Sequence, residues 1–300
     1  MIPDDLDAVF REIDNELKAE GLQPYQRPIH AIKKFGQRFK ISLPMTSRTK
    51  PIPEGHGIPA DVIANQKYSN ALHAWFEAEY GERLKMDPSD WRCVACLADG
   101  DLWEVGLPIV VGSAAIFSDR KLQPVREHMV STGSIHQNAC NALRGITQNR
   151  LNRFSNVDLH EVWAMFIVGM DATSAIQRFW KANNFFEQCP ADLKVSFGGL
   201  IAQHTNYGQS RYASMMLVEH FLKGLLMMAK GEKPPRGHDI RILHEELKTW
   251  VPNLDFTNLF EDLHCTAAAR YGEVKTTREE AYAAHKAALV AVSYMGQIKP

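Results

Sequence analysis

The chain has 300 residues, 45% of them hydrophobic and 23% charged, with a formal net charge of −1. That length buries a core without help from disulfides or metal, and the balanced charge excludes a whole-molecule electrostatic pull toward nucleic acid or anionic membrane. Five scattered cysteines and no secretory-type leader point to reduced thiols and a cytoplasmic setting.

Residues 4–20 place Leu6, Val9, Phe10, Ile13 and Leu17 at helical spacing, and Gly21 ends the pattern. Residues 21–53 then carry seven basic side chains and no acidic one. Within them RFKISL alternates Phe39, Ile41 and Leu43 against Arg38, Lys40 and Ser42, which predicts a strand. KPIPEGHGIP reads as a loop, and 60–84 reads as a helix with Val62, Ile63, Leu72, Trp75 and Phe76 inward.

The segment WRCVACLADGDLWEVGLPIVVG predicts a hairpin, because Asp99-Gly100 supplies the positive φ angles of a two-residue turn between apolar runs. The expected strands are 92–98 and 102–110, with Trp103, Val105, Leu107, Ile109 and Val111 on one face and Pro108 marking the second as an edge. From Gln123 onward only helices are expected: 156–180 capped by Ser155, one after Pro190, then 208–230, 239–250, 256–270 and 278–294. Thr277 and Glu280 form a capping box for the last. The apolar run 212–229 holds Glu219, His220 and Lys223 in its middle, so it reads as a buried helix and not a membrane span.

From YASMMLVEHFLKGLLMMAKGEKPPRGHDI through AAARYGE to TTREEAYAAHKAALVAV, about the last ninety residues, the chain resembles the HEPN domain family (higher eukaryotes and prokaryotes nucleotide-binding). The residues carrying the resemblance are Lys223, Pro234, Pro235, His238, Asp239, Arg270 and Tyr271. It implies an antiparallel helical bundle, completed by 156–180, that pairs as a homodimer. A partner subunit would cover what one bundle leaves of a helix apolar nearly all round.

Two constellations bear on chemistry. Arg278 and His285, in REEAYAAH, match the Arg-x4-6-His motif of HEPN ribonucleases. Seven helical steps place them on one face about 10.5 Å apart, where Arg would hold a phosphate and His would move a proton. Glu279 and Glu280 beside the arginine depart from the motif and oppose a phosphate grip. The second set is His238, Arg241, His244 and Lys248, expected on the outer face of a helix whose buried stripe is Ile240, Leu243, Leu247 and Trp250. Free N–H groups at the helix start would help it bind nucleotide phosphates; the plain alternative is a solvated face capped by Asp239. Lys223 reads as an ion pair with Glu219 or as a ligand contact, and Arg270 with Tyr271 as a helix end or a contact.

Elsewhere, Arg27 to Lys50 interleaves Tyr25, Phe35 and Phe39 with Lys33, Lys34, Arg38 and Lys40, a composition that can grip single strands unless the rings pack inward. Arg144, Arg150 and Arg153 would extend that patch. Cys93-x-x-Cys96 lacks the second pair that zinc needs, and no phosphate loop, H-E-x-x-H or G-x-S-x-G is present, so no metal or cofactor is expected.

The resulting expectation is a mainly α protein: an N-terminal α/β region with a small antiparallel sheet over 1–150, and a HEPN-like bundle over 151–300. It is read first as a dimeric nucleotide- or RNA-binding module with no membrane association. The alternatives are a metal-independent endoribonuclease using Arg278 and His285, and a non-catalytic oligomerising scaffold.

Overall fold

In a computed structural model, described over residues 2–3, 5–20, 22, 27–45, 59–84, 92–108, 114–123, 135–202 and 204–298, the chain is mainly helical and divides into two compact units, Met1–Asp87 and Pro88–Pro300. The division expected at 150 thus moves to 88, because the hairpin packs into the second unit's core. All of the KPIPEGHGIP loop but its final Pro59, together with Tyr25, Arg48 and the stretch Ile109 to Val111, lies outside the described residues.

Among its described residues the first unit has three helices and a short one: α1 (Leu6–Ala19), α2 (Arg27–Phe39), α3 (Ala60–Ala64) and α4 (Gln66–Tyr80). Asp5 caps α1 by accepting from Ala8 N. Val9, Phe10, Ile13 and Leu17 then meet Ile32, Phe35, Leu72 and Phe76 in one core. The strand expected at RFKISL is instead the last two residues of α2 and the irregular segment that follows it. Phe35 and Phe39, four apart, pack with tilted rings whose centroids are 4.7 Å apart, and this helical period outweighs the alternation. The helix closes where Lys40 adopts φ 55° and Ile41 N donates to Gly36 O. The expected helix over 60–84 is broken at Asn65, where α3 gives way to α4.

The second unit begins with the expected hairpin, β1 (Cys93–Ala98) and β2 (Asp101–Gly106), antiparallel with Cys96 opposite Trp103. Asp99 and Gly100 take φ 48° and 75°, as a two-residue turn requires. Two further strands were not foreseen: β3 (Ala114–Phe117) pairs in parallel with β4 (Ile135–Asn138). A short helix, α5 (Gln148–Leu151), leads to α6 (Asn156–Phe179), which Ser155 and Asp158 close with a capping box.

Then come α7 (Asn184–Ile201), α8 (Tyr207–Lys230), α9 (Ile240–Lys248), α10 (Phe260–Leu263), α11 (Ala267–Arg270) and α12 (Arg278–Met295). α7 starts before Pro190, contrary to expectation, because Asn183 caps it and Phe186 belongs in the core. α7 and α8 run antiparallel: Ser196 meets Ser214, Asp192 meets His220, and Phe186 meets Gly224. α12, by contrast, runs alongside α6 in the same direction. Both begin at the hairpin turn, where Asp158 accepts from Asp99 N and Arg278 donates to Gly100 O, and Gly296 lies against Ala175 far along both. The long connection through α9, α10 and α11 returns the chain to make this possible. No described helix is long and apolar enough to cross a membrane.

Candidate functional site

α8 is the spine of the site. Asn206 caps its start and Gly231, at φ 71°, ends it. Phe221, Leu222, Leu225 and Leu226 are buried along it, yet so are Glu219 and Lys223, one turn apart. Lys223 Nζ donates to Glu219 Oε1 at 2.7 Å and to the Gly237 carbonyl at 2.6 Å. His238 Nδ1 lies 3.0 Å from both Glu219 oxygens. Lys223 therefore takes up its ion-pair role and reaches the turn before α9. Asp239 caps α9 by accepting from Arg241 N at 2.9 Å, so one of the free N–H groups is already used by the protein.

Beside this turn lies a cleft of about 260 Å³. His238, Asp239, Arg241 and His264 supply its polar wall. Met215, Ile240, Phe260 and the Cys265 thiol supply the rest. The guanidinium of Arg241 has no partner among the described residues, and His264 is exposed. Burial pushes the Cys265 thiol up, which keeps it protonated and unreactive. Two imidazoles and a guanidinium converging over an apolar floor can hold an anion with an attached flat group. His264 carried no signal in the sequence: it sits in a short segment whose only regular features are three residues of 3-10 helix and the single turn of α10.

The rest of the expected cationic set separates. His244 is buried, not on the outer face. It falls in the stripe of Ile240, Leu243 and Leu247, and the edges of Phe256 and Phe260 close on it with ring centroids 4.6 and 5.2 Å away. Burial pushes its pKa down. Trp250 is exposed, not part of that stripe, and Lys248 approaches Glu245 and Asp255 at 4.0 Å. Arg270 lies over the rings of Tyr212 and Tyr271 at 5.6 and 5.7 Å, outside the cleft lining.

Arg278 and His285 do not share a cleft. Arg278 is held at the surface by Glu279, at 2.8 and 3.0 Å, and by the Gly100 carbonyl. His285 is fully buried. Ala95 N donates to its Nε2 at 3.1 Å, and its Nδ1 is 2.7 Å from Ser196 Oγ. A backbone N–H only donates, so Nε2 accepts and Nδ1 carries the hydrogen. Ser196 continues to Ser214, and Ser214 to the Ser210 carbonyl, within the core. Burial lowers the His285 pKa to about 3. A general base must reach the proton it takes, and here His285 is a neutral core residue pinning β1 to the bundle.

Three cations of the basic N-terminal stretch are likewise occupied, while Lys33 and Lys40 stay exposed. Arg27 pairs with Asp14, Lys34 with Glu16 and Glu20, and Arg38 with Glu12 and Glu16. Phe35 and Phe39 pack inward on α1 and α4. Arg144, Arg150 and Arg153 pair with Glu104, Asp99 and Asp101 of the hairpin. Cys93 and Cys96 are buried free thiols, and no cluster of three or more metal-ligating side chains occurs among the described residues.

Residues 201–295 match the family model of the HEPN domain, as their resemblance led us to expect. The matched segment runs from the end of α7 to the last residue of α12 and contains every residue lining the cleft. Neither the curated proteins nor the solved structures give a match.

Proposed function

We propose that this chain is a nucleotide- or RNA-binding module whose ligand enters the cleft at the start of α9, and that it works as a homodimer without turnover through His285. The observation that carries the reading is the convergence of His238, Arg241 and His264 on one apolar-floored cleft inside the HEPN segment. Ligand sites commonly run from roughly 300 Å³ upward, so this cleft suits a single nucleotide unit better than a folded RNA. Arg241 would grip phosphate, His264 would donate to it, His238 would accept from a ribose hydroxyl through Nε2, and Met215 with Phe260 would face the base.

Equilibrium binding tests this with AMP and a short single-stranded RNA as probes. Arg241→Ala and His238→Ala should each weaken binding about tenfold, the scale of one charge-assisted hydrogen bond. Unchanged affinity in both variants would remove the cleft from the account. In that case an oligomerising scaffold becomes the better reading.

A further inference from the structure

We infer that Glu219 and Lys223 are positioning residues that lock His238 with Nδ1 turned inward and Nε2 left for a ligand. The consequence for binding rests on the proposed reading of the cleft; the lock itself does not. A buried ion pair is a poor source of stability, because desolvation offsets most of its attraction. Glu219 is nevertheless 1% exposed within the apolar middle of α8, and Lys223 only 8%.

The pair's other contacts show what it holds. Lys223 spends a second N–H on the Gly237 carbonyl, and Glu219 presents both oxygens to His238 Nδ1. All of these contacts fall on the turn that opens the cleft. A carboxylate only accepts, so Nδ1 must be the N–H. The partner of one ring nitrogen fixes what the other can do. His238 has its side chain 67% exposed, so without Glu219 its ring would sample several rotamers. Tied at Nδ1, it offers the ligand one nitrogen at a fixed place. Glu219 and Lys223 thus act on the ligand through His238 and the turn, and neither lines the cleft.

The test replaces the pair by an uncharged one of similar volume, Glu219→Met with Lys223→Met. Such an exchange leaves no lone buried charge and commonly preserves folding. Ring ¹⁵N spectra at alkaline pH, with His238→Ala for assignment, read the tautomer directly. The wild type should carry hydrogen on Nδ1, and the double variant should move to the Nε2–H form usual for a free imidazole. AMP binding should weaken about tenfold in the double variant, and His238→Ala should cost nothing more when added to it. If the double variant does not fold, Glu219→Gln serves, since an amide both donates and accepts and cannot enforce one tautomer. An Nε2–H tautomer in the wild type, or an Nδ1–H tautomer that survives removal of the pair, overturns the inference. Additive losses from the double variant and His238→Ala overturn its bearing on the ligand. Failure of the wild type to bind AMP, with the tautomer shift as expected, would instead count against the cleft reading alone.

Discussion

His285 shows how one side chain can satisfy a motif and still serve the core. Its two nitrogens close hydrogen bonds to Ala95 N and Ser196 Oγ, so its loss strands a buried donor on β1 and leaves a hole between α7 and α12. We expect His285→Ala to cost about 3–5 kcal/mol in urea unfolding, combining a cavity with unsatisfied polar groups. The pH dependence follows from the same burial. The folded pKa, about 3, lies below the unfolded value near 6.5, so the unfolded chain binds more protons between them. Stability from this residue is complete above about pH 6.5 and falls as pH drops toward 3, by up to about 1.4 kcal/mol per pH unit. His244, also pushed down by burial, adds in the same direction. His285→Gln keeps an acceptor for Ala95 N and should flatten the slope between pH 5 and 6.5. An unchanged slope would contradict the neutral buried imidazole.

At the scale of elements, close helix contacts are set by glycines as much as by large side chains. A Cβ on Gly224 would fall 2.6–2.8 Å from three atoms of the Phe186 ring, which is itself fixed between Phe179 and Phe221. Gly224→Ala should therefore lower stability by about 1–3 kcal/mol despite alanine's better helix propensity. A thermal midpoint that rises instead would show that α7 and α8 can separate cheaply. Elements with local signals were legible from residues alone: Ser155 and Thr277 cap α6 and α12, and Asp99-Gly100 turns the hairpin. What misled was short or dependent on partners. RFKISL alternates, but Phe39 is claimed by Phe35. The parallel strands β3 and β4 have four residues each and pair across a long gap in sequence, with no tight hairpin turn to announce the pairing. The cleft was half legible. His238 and Arg241 stand at a capped helix start, whereas His264 arrives from α10, and Glu219 becomes a ligand for His238 only when α8 meets the turn. His244 was misplaced because its position fits both an outer charge row and the buried stripe.

At the scale of the whole molecule, the second unit leaves large apolar side chains in water. Ile242 is 60% exposed, Trp250 54% and Tyr271 70%. We expect a second copy of the chain to cover side chains of this kind. Light scattering at micromolar concentration should give about twice 33.9 kDa; a mass near 33.9 kDa with no concentration dependence would contradict the dimer. Ion pairs already engage Arg27, Lys34 and Arg38 of the basic stretch and Arg150 at the hairpin turn, so we expect affinity to rest on one nucleotide unit and to fall only gently with salt.

The most direct measurement is chemical-shift mapping of AMP on histidine- and arginine-labelled protein. The expected result is saturable shifts at His238, His264 and Arg241, with His285 unmoved inside the bundle. Shifts centred on Arg278 and His285, or on Arg27 to Lys40 with the cleft silent, would contradict a ligand site at the start of α9.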